Sequence, residues 1–415
     1  MKKNIWILNH YASGMLFNKG GRHYWFAKYL KREGYEPAIF CCNVKHGAFE
    51  NYIDTGALWT EKMAEDIDVP FIYVKSSLYK GNGKDRVINM IRFYRNVQKA
   101  AKEYAKTHAK PDVIYASSVH PLTLVAGIKL AKYFGINCIC EVRDLWPEEL
   151  IDMKVLKKSS IASTILYKME YWIYKRAHSI VFTMEGGKQY IIDRGWAGKN
   201  KVDVKKIHYI NNGVSLHEYK NNLCTNQLDD EDLNGDSTFK VVYTGSIRQA
   251  NGIDRILAIA KKITEPNIKF LLWGAGNYVE TLKKQVMENG LDNVVYKGFI
   301  NKQYIPYVLS RSDLNILNYL NADIFKYGCS NNKLFEYLAS GRPILSTIRM
   351  NYSILKQFNC GVEVETVDES VEQILRIYKM SDDEKQKLIA NTAIAANEFD
   401  FKNLTKKLVS VIEEV

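Results

Sequence analysis

Residues 239–254, Phe239-Lys-Val-Val-Tyr-Thr-Gly-Ser-Ile-Arg-Gln-Ala-Asn-Gly-Ile-Asp254, contain the pattern that decides the fold. An apolar run is followed by Gly245, by a short polar loop with Arg248, and by Gly252, where a helical pattern begins. A strand that leads through a glycine-containing loop into a helix is the repeating unit of doubly wound α/β sheets. The same order occurs near the start of the chain, between Ile5–Asn9 and a helical pattern that begins at about Arg22.

Short apolar runs alternate with amphipathic stretches along the whole chain. Most runs are continuously apolar, as is typical of parallel strands that are covered on both faces. The predicted strands are Ile5–Asn9, Pro37–Cys41, Phe71–Val74, Val113–Ala116, Asn137–Val142, Ser179–Thr183, Ile207–Ile210, Phe239–Tyr243, Ile268–Trp273, Val294–Tyr296, Leu314–Leu317, Pro343–Leu345 and Gly361–Glu363. We therefore predict an α/β protein of two Rossmann-like, doubly wound domains that face each other across a cleft.

The length of 415 residues also favours two domains, because one hydrophobic core seldom serves so long a chain. We place the first domain at residues 1–215 and the second at residues 216–394. A C-terminal helix of about 395–415 has no strand of its own to cover, and we expect it to pack back on the first domain. The polar segment Lys220–Ser237 is the best candidate for a linker.

The charge is divided unevenly along the chain. There are 58 Lys and Arg against 46 Asp and Glu, a net charge of +12. Residues 1–215 hold 34 basic and 20 acidic side chains, hence +14, whereas residues 216–415 hold 24 and 26, hence −2. The contents of 25 Gly, 8 Pro and 7 Cys exclude collagen-like, disordered and disulfide-scaffold classes.

The cysteines and the apolar runs indicate the compartment. The number of cysteines is odd and their spacing matches no metal site, which favours a reducing cytosol. The first strand is too short for a signal peptide, and no run approaches the roughly 20 apolar residues of a spanning helix. We expect a cytoplasmic protein, either soluble or bound to a membrane surface.

Residues 327–344 hold the strongest candidate site. Ser330 is the predicted N-cap of a helix that ends at Gly341, before Pro343. Lys333 falls in the first turn, where a cation opposes the helix dipole. Such a position is easier to explain if the ammonium meets a bound anion, and Glu336 on the same face could accept hydrogen bonds from hydroxyls. The alternative is an exposed Lys–Glu pair without a ligand.

Three glycine loops are weaker candidates. Gly20-Gly21 precedes a helix, so that backbone N–H groups could approach an anion there, although a turn without a ligand explains the pair equally well. Arg248 could contact phosphate oxygens, or it could be a solvated loop arginine. Gly274 belongs to a Gly-x-Gly turn that lacks the third glycine of a dinucleotide site, so NAD binding is not supported.

Polar residues also follow two strands of the first domain. His120 comes after one strand, and Arg143, Asp144 and Glu148 come after the next. Doubly wound sheets bind ligands at the carboxyl ends of their strands. A lone histidine is nevertheless more often structural. Some of the charges at 143–148 must pair with each other, and the sequence does not say which.

Together these segments resemble family-4 retaining glycosyltransferases of the GT-B fold. The matching segments are Asn332-Lys-Leu-Phe-Glu-Tyr-Leu-Ala-Ser-Gly-Arg-Pro-Ile344, Tyr243-Thr-Gly-Ser-Ile-Arg248, Asn211-Asn-Gly-Val-Ser215 and Glu141-Val-Arg-Asp-Leu-Trp-Pro-Glu148. Within the family, the opening Asn9-His-Tyr-Ala12 is similar to that of bacterial surface-polysaccharide transferases. Some of these move N-acetylated amino sugars such as N-acetylfucosamine from UDP donors.

The resemblance implies a reaction. It implies a retaining, metal-independent hexosyl or N-acetylhexosaminyl transferase without a cofactor. A UDP-sugar would be the donor, and a polyprenyl-diphosphate-linked saccharide would be the acceptor, in the synthesis of a bacterial surface polysaccharide such as lipopolysaccharide or capsule. The first domain would then bind the acceptor and the second would bind the nucleotide sugar.

The resemblance also implies roles for residues. His120, Arg248 and Lys333 would be catalytic: His120 would face the donor sugar, and the other two would neutralise the diphosphate. The implied donor-binding residues are Gly20 and Gly21 at the diphosphate, Glu336 at the ribose, Gly298, Phe299 and Ile300 at the base, and Ser246, Gly274, Asn331, Asn332 and Leu334. Arg143, Asp144 and Glu148 would line the acceptor side. Two positions depart from the family pattern, since Gly328 replaces the first of two glutamates and Asn251 replaces a lysine.

Two basic stretches account for much of the charge asymmetry. One helical face carries Arg92, Arg95, Lys99, Lys102 and Lys106, opposite a predicted core face of Met90, Phe93, Val97, Ala101 and Tyr104. In the second stretch, Lys157, Lys168 and Lys175 lie beside Ile161, Ile165 and Trp172. Cations mixed with large apolar residues indicate a helix in an anionic membrane interface, and we expect a peripheral protein on the inner face of the plasma membrane. The alternative is a solvated basic face with Ile and Trp packed inward.

Two other functions stay open. A UDP-sugar epimerase could have the same two-domain shape. A nucleic-acid-binding protein could use the same basic residues, but the chain has no recognised nucleic-acid module and its aromatic residues form no clear stacking platform, so we expect no nucleic acid as partner.

Overall fold

The structure is a computed structural model that describes residues 3–235 and 237–415. The chain forms two compact units. The first comprises Met1–Asn211 together with Phe401–Val415, and the second comprises Asn212–Asp400. Each unit has its own parallel sheet covered by helices, which confirms the predicted pair of α/β domains.

The strands of the first unit are β1 (Asn4–Leu8), β2 (Glu36–Cys42), β3 (Val44–Lys45), β4 (Glu50–Asn51), β5 (Trp59–Ala64), β6 (Val69–Val74), β7 (Val113–Ser117), β8 (Asn137–Val142), β9 (Ser179–Phe182) and β10 (Ile207–Tyr209). Those of the second unit are β11 (Phe239–Thr244), β12 (Ile268–Trp273), β13 (Val294–Gly298), β14 (Leu314–Leu317), β15 (Ile344–Ser346) and β16 (Gly361–Glu363). Each of the thirteen predicted strands is present.

The helices before the second unit are α1 (Arg22–Arg32), α2 (Lys84–Tyr104), α3 (Pro121–Phe134), α4 (Glu148–Asp152), α5 (Ile161–Arg176) and α6 (Gly187–Asp193). The second unit holds α7 (Leu216–Thr225), α8 (Glu231–Asn234), α9 (Ile253–Lys262), α10 (Val279–Glu288), α11 (Ile305–Ser310), α12 (Asn332–Ala339), α13 (Ile354–Gln357), α14 (Val367–Tyr378) and α15 (Asp382–Glu398). The last helix, α16 (Phe401–Glu413), belongs to the first unit.

The first sheet has eight strands in the order β10-β9-β8-β7-β1-β2-β6-β5. Seven run parallel, and β5 pairs antiparallel with β6 at one edge. Strand β5 escaped prediction because three consecutive polar residues, Thr60 to Lys62, interrupt its apolar ones, and of its six residues only Ala64 is buried. The strand order reverses between β1 and β7, so the loops after these two strands separate there and leave room for a ligand.

The second sheet has six strands in the order β13-β12-β11-β14-β15-β16, all parallel. Its core contains apolar residues of β11, β12 and α9. The strand order reverses between β11 and β14, which gives this unit its own ligand-binding position at the carboxyl ends of those strands.

The segment Lys220–Ser237 is not the linker that its polarity predicted. It lies inside the second unit and includes α8 and most of α7, while the chain passes from one unit to the other at residues 211–212. Its polar residues have structural partners: Asp230 caps α8, and Asp230 and Asp232 both form ion pairs with Lys297. The segment has the polar composition of a linker because its acidic residues cap a helix and bind a neighbouring strand.

Helix α16 packs on α1. Phe401 meets Phe26 with ring centroids 5.5 Å apart, and Leu404, Leu408 and Ile412 are buried. The last turn also contributes an ion pair between Glu413 and Lys3. The last helix of the chain is therefore part of the core of the first unit.

Within residues 3–235 and 237–415, no helix has the length and the apolar character that crossing a bilayer requires.

Candidate functional site

The candidate site of the second unit lies where β11 and β14 part. Gly245 follows β11, and Tyr319 comes two residues after the end of β14. Helix α12 begins nearby and brings Lys333 to the same place, since the Lys333 ammonium lies 4.5 Å from the centre of the Tyr243 ring and 5.9 Å from that of Tyr319. The reversal point of the sheet thus holds a cation between two aromatic rings.

Lys333 has few partners. Its Nζ donates a hydrogen bond to the Tyr243 hydroxyl at 2.9 Å. Among the described residues, no carboxylate forms an ion pair with this ammonium. Burial lowers the pKa of Lys333 to about 8, because the charged form loses water, and the opposing effects of Cys329 and Glu336 do not make up for that loss. A desolvated ammonium without a counter-ion at a ligand-binding edge is what an anion-binding site requires.

Two glycines make room for the Lys333 side chain and for the loops beside it. A Cβ at Gly245 would lie 2.3 Å from Lys333 Cε, and the backbone φ of +144° is one that only glycine adopts readily. A Cβ at Gly274 would lie 1.7 Å from the Gly245 carbonyl oxygen. The Gly274 N–H in turn donates to the carbonyl of Gly298 at 2.8 Å. The loops after β11, β12 and β13 therefore converge through backbone contacts.

Helix α12 begins one residue later than predicted. Asn331 is its N-cap and accepts a hydrogen bond from the Lys333 N–H at 3.0 Å, so the prediction of Ser330 is wrong by one position. Asn332 accepts a hydrogen bond from the side chain of Asn212. The shift has a physical cause, because the amide oxygen of Asn331 reaches the free N–H groups of the first turn.

The other predicted residues of α12 differ in exposure. Glu336 is mostly buried and forms an ion pair with Lys302, 3.4 Å between Oε1 and Nζ. Since Lys302 is largely exposed, a ligand hydroxyl can replace it without leaving a buried charge. Leu334 is buried in the core, and its backbone N–H donates to the Asn331 carbonyl at 3.2 Å.

The remaining predicted residues of this unit line its loops. Arg248 and Ser246 are exposed in the loop after β11, and the Ser246 carbonyl accepts hydrogen bonds from Tyr243 at 3.0 Å and from Asn251 at 2.6 Å. Asn251, where the family has a lysine, thus stabilises the loop through its amide. Gly298 is the last residue of β13, Phe299 and Ile300 follow it, and the Phe299 side chain is 71% exposed.

The first unit has a buried histidine pair at its own reversal point. His10 follows β1 and His120 follows β7, and these strands are neighbours. His10 Nδ1 lies 2.6 Å from His120 Nε2. Both rings are buried, and burial lowers the pKa of each, that of His120 to about 3. Both imidazoles are therefore neutral at physiological pH.

Gly20 and Gly21 introduce α1 as predicted. The Gly20 N–H donates to the Met15 carbonyl at 3.2 Å, and Gly21, with φ of +111°, is the N-cap of α1. A Cβ at Gly21 would lie 3.0 Å from the Met15 side chain, so the turn needs glycine for its own packing. The first turn of α1 is then fixed by Arg22, whose guanidinium is buried.

A buried carboxylate holds that turn. Glu141 on β8 accepts a hydrogen bond from Arg22 Nε at 2.7 Å, meets His23 Nε2 at 3.0 Å, and accepts from Ser117 at 2.7 Å and from the Tyr115 hydroxyl. Arg22 also donates to the carbonyls of Ile210 and Asn211, the last two residues before the chain enters the second unit. These contacts hold the pKa of Glu141 well below its usual range despite its burial.

Arg143, Asp144 and Glu148 form no direct ion pair with each other, although Arg143 acts on Asp144 electrostatically. Glu148 forms an ion pair with Arg194, 3.0 Å between Oε1 and NH1. The Arg143 N–H donates to the Ser118 hydroxyl at 3.0 Å. Burial raises the pKa of Asp144, while Arg143 and Arg86 act in the opposite direction. The backbone of Arg143 is therefore bound to Ser118, just after β7, whereas Glu148 binds Arg194, the C-cap residue of α6.

Two family descriptions match this chain and together span both units. Residues 24–218 match "Glycosyltransferase Family 4", and residues 238–380 match "Glycosyl transferases group 1". The chain belongs to the family-4-type glycosyltransferases. The first match ends at residue 218, seven residues after the chain leaves the first unit, and the second match lies wholly within the second unit.

Curated relatives of this glycosyltransferase are distant. The chain is 24% identical over 257 residues to the probable glycosyltransferase WbjE of Pseudomonas aeruginosa, and the match covers 60% of each chain. It is 25% identical over 216 residues to the putative teichuronic acid biosynthesis glycosyltransferase TuaH of Bacillus subtilis strain 168, covering 52% of this chain and 51% of the relative. The match thus spans little more than half the length of these curated relatives.

Solved structures share the fold of the family-4-type enzyme. Sucrose-phosphate synthase of Thermosynechococcus elongatus has a TM-score of 0.72 at 15% identity, covering 100% of this chain and 99% of that one. HepE of Anabaena, in complex with UDP and glucose, has a TM-score of 0.66 at 16% identity and full coverage of both chains. These likenesses establish the GT-B fold.

The sequence interpretation missed three parts of this glycosyltransferase: the tyrosines around Lys333, the partner of His120, and the Glu141 cluster. One signal could have revealed the cluster, because Glu141 is an acid inside an otherwise apolar strand and a buried carboxylate needs a cation nearby. No local pattern links Arg22 to Glu141, which lie 119 residues apart in sequence.

Proposed function

We propose that this protein transfers a sugar from a UDP-sugar to a lipid-linked saccharide, with retention of the anomeric configuration, in the synthesis of a bacterial surface polysaccharide. The observation that carries the proposal is the ammonium of Lys333, which is desolvated, has no carboxylate partner among the described residues, and lies at the reversal point of the second sheet. A diphosphate supplies the missing negative charge. The family gives the reaction class within which this site is interpreted.

The residues account for the chemistry as follows. Cleavage of the sugar–phosphate bond builds negative charge on the departing diphosphate, and fixed cations lower that barrier. Lys333 would contact the diphosphate, and Arg248, exposed on the loop after β11, would fold onto it. Glu336 would exchange Lys302 for the ribose hydroxyls. In this scheme the two cations neutralise the diphosphate in place of a metal ion. The leaving phosphate assists deprotonation of the acceptor hydroxyl on the same face of the sugar.

The identity of the donor and the acceptor is supported by the related proteins. The solved HepE structures contain UDP, glucose or UDP-glucose, which supports UDP as the nucleotide. The name of TuaH refers to teichuronic acid biosynthesis, which supports a surface polysaccharide as product. We propose an N-acetylated amino sugar as the donor sugar and a polyprenyl-diphosphate-linked saccharide as the acceptor, on the resemblance to surface-polysaccharide transferases.

A donor panel tests the reaction. The protein is incubated with UDP-sugars and polyprenyl-diphosphate-linked acceptors in the presence of EDTA, and the products are analysed by mass. We expect one donor to give a product one sugar heavier than the acceptor. Lys333→Ala and Arg248→Ala should abolish transfer, whereas Lys387→Ala, on an exposed position of α15, should not.

Three outcomes would contradict the proposal. A fully active Lys333→Ala or Arg248→Ala would show that the diphosphate site is elsewhere. Transfer that requires an added divalent cation would exclude the metal-independent scheme. Conversion of the UDP-sugar into its epimer without an acceptor would identify an epimerase.

We further propose that the first unit docks on an anionic membrane through α5 and the segment before it. Residues 153–169 contain four lysines and no Asp or Glu. Ile161 is 81% exposed and Ile165 is 60% exposed. The alternative with both isoleucines packed inward is therefore wrong, although Trp172 is half-buried under Arg176, 4.7 Å from ring centre to guanidinium.

The same stretch exposes Met153 and Val155. Helix α2 adds Arg92, Arg95, Lys99 and Lys102 on its exposed side, opposite the predicted core residues, which are buried. Each cation near an anionic surface contributes roughly 1 kcal/mol, and buried apolar side chains add to this. A peripheral position on the inner face of the plasma membrane would bring the first unit to a lipid-linked acceptor.

Vesicle flotation tests the docking. We expect salt-sensitive binding to vesicles that contain phosphatidylglycerol, and little binding to vesicles of phosphatidylcholine alone. The double variant Ile161→Ser/Ile165→Ser should weaken binding about tenfold or more, because two apolar side chains no longer leave water. Ile394→Ser is the matched control, since Ile394 is 60% exposed on α15 of the second unit. Equal binding by both variants would contradict the docking surface.

A further inference from the structure

The first unit exposes a pair of aromatic rings, Phe17 and Tyr52, which we call the aromatic platform. Phe17 belongs to the loop after β1, and Tyr52 directly follows β4, in the hairpin that comes after β2. Both segments therefore lie at the carboxyl edge of the sheet, where α/β domains bind their ligands. The two rings stack, with centroids 5.3 Å apart and planes at 12°. The Phe17 side chain is nevertheless 53% exposed, so much of this ring is open to a ligand.

The loop around Phe17 is closed by its own backbone. The Asn18 N–H donates to the Gly14 carbonyl at 3.0 Å, and the Gly20 N–H donates to the Met15 carbonyl at 3.2 Å. These bonds enclose Phe17 in a tight turn, although its side chain stays in water. The exposure of Phe17 is thus fixed by the fold of the loop.

The hairpin of β3 and β4 is attached to the sheet through Asn43. The buried side chain of Asn43 donates to the Ile53 carbonyl at 3.3 Å and accepts from the Ser76 N–H at 2.9 Å. Its backbone carbonyl accepts from the Tyr52 N–H at 2.8 Å. Both rings of the aromatic platform are therefore held before a ligand arrives, which lowers the entropic cost of binding.

Two polar groups lie beside the rings. The Tyr52 hydroxyl approaches the loop so closely that a Cβ at Gly14 would lie 2.7 Å from it, and Asn18 Nδ2 would lie 3.4 Å from the same Cβ. Neither of these side-chain groups has a hydrogen-bond partner in the part of the chain that the structure describes. A hydroxyl and an amide can both donate and accept. The aromatic platform thus combines an open ring with unused hydrogen-bonding groups.

The charge around the aromatic platform distinguishes between kinds of ligand. With histidine neutral, residues 12–21 and 43–56 together hold two lysines and two carboxylates, and so carry no net charge. One of these lysines, Lys45, forms an ion pair with Glu50 at 3.3 Å. Residues 153–169, by contrast, hold four lysines and no acid. An anionic membrane favours the second kind of surface, whereas a neutral ligand with hydroxyl groups fits the first.

A sugar ring has the matching chemistry. The face of a pyranose presents C–H groups, which the electron-rich face of an aromatic ring attracts, and its rim presents hydroxyls. We propose that a sugar ring of the acceptor saccharide stacks on the aromatic platform and binds the Tyr52 hydroxyl and the Asn18 amide. The inference rests on the proposed glycosyl transfer, in which the first unit binds the acceptor. In this scheme the aromatic platform contributes affinity for the acceptor and takes no part in the chemical step.

Saturation-transfer nuclear magnetic resonance tests the aromatic platform without any donor. The probes are the methyl glycosides of glucose, galactose, mannose and N-acetylglucosamine, which carry neither lipid nor phosphate. We expect the ring C–H protons of at least one probe to receive saturation from the protein. Phe17→Ala should weaken that binding about three- to tenfold, and Tyr52→Phe should weaken it less, because only a hydroxyl is lost. Tyr133→Ala is the matched control, since it removes a ring that is 60% exposed on α3.

Kinetics and flotation separate the aromatic platform from the other sites. With the substrates identified by the panel, Phe17→Ala should raise KM for the acceptor about three- to tenfold and leave kcat and the KM for the UDP-sugar within about twofold. Its flotation with phosphatidylglycerol vesicles should equal that of the wild type. Saturation of none of the probes, equal probe binding by Phe17→Ala and Tyr133→Ala, a raised KM for the UDP-sugar, or lost flotation would overturn the proposal. If the wild type transfers no sugar, the proposed function fails, and the resonance titration still decides whether the platform binds a saccharide.

Discussion

At the residue scale, Lys333 connects the fold to the chemistry. Its ammonium lies between Tyr243 and Tyr319, and the absence of a side chain at Gly245 gives it space. A lysine held this way is costly for the unliganded fold, because desolvation favours its neutral form. A diphosphate bound there would offset the desolvation cost of the charged ammonium. Relief of that cost would then contribute to the free energy of donor binding.

The pH dependence of donor capture follows from this lysine. With a pKa of about 8, Lys333 is charged below pH 8 and neutral above it. We expect kcat/KM for the UDP-sugar to be steady below pH 8 and to fall about tenfold per pH unit above it, because the free enzyme loses the cation. Lys333→Arg should remove the fall, since a guanidinium stays charged to pH 12. A wild-type profile that is flat between pH 7 and 10 would contradict the assignment.

The sequence predicted the residues that belong to a local sequence pattern. It did not predict contacts between residues that are far apart in the chain. Lys333 was detectable because a cation in the first turn of a helix opposes the dipole. Tyr243 was visible as part of a strand, but nothing in the sequence places its hydroxyl 2.9 Å from an ammonium 90 residues away. The same holds for His10 and His120, whose contact depends on β1 and β7 being neighbours.

At the element scale, the Glu141 cluster sets the position of α1. Strand β8 supplies the carboxylate, and the first turn of α1 supplies Arg22 and His23. The turn of Gly20 and Gly21 comes directly before those residues. The position of that turn therefore depends on a buried ion pair as well as on the packing of Gly21 against Met15.

A single and a double variant test this dependence. We expect Glu141→Gln to lower the free energy of unfolding by about 3–5 kcal/mol, because Arg22 is left as an uncompensated buried charge. Arg22→Met/Glu141→Leu should recover much of that loss, since neither charge remains. Denaturant unfolding gives both values. A loss below about 1 kcal/mol in Glu141→Gln would show that the pair does not stabilise the unit.

Helices and strands could be predicted where the hydrophobic periodicity was strong. The surfaces against which they pack could not. Most of the thirteen predicted strands have continuous apolar runs, which the sequence displays directly. Helix α2 likewise showed its two faces through spacing alone. By contrast, the exposure of Ile161 and Ile165 depends on which surface of α5 meets the rest of the unit, and both alternatives fit the same spacing.

At the scale of the whole molecule, the chain crosses between the units twice. It enters the second unit after Asn211 and leaves it after Asp400. Arg22 binds the carbonyls on one side of the first crossing, and Phe401 packs against Phe26 just after the second. Both crossings are therefore anchored on α1 of the first unit.

The contribution of α16 to the first unit can be measured. Leu408→Ala should lower the free energy of unfolding by about 2–5 kcal/mol, because it leaves a cavity at a fully buried position. Hydrogen exchange should then increase in α1 more than in α9 of the second unit. Lys406→Ala, exposed on the same helix, is the control. Equal increases in α1 and α9 would show that α16 does not act on the first unit in particular.

The return of α16 has a consequence for synthesis on the ribosome. The strands of the first unit are complete once residue 209 has been translated, but Phe26 and its neighbours on α1 stay uncovered until Phe401 and Leu408 emerge. At about 5–20 residues per second, that interval lasts roughly 10 to 40 seconds. During this time the nascent first unit exposes the apolar residues of α1 that α16 later covers. The second unit can fold to completion in the same interval. The unit that begins first is thus finished last.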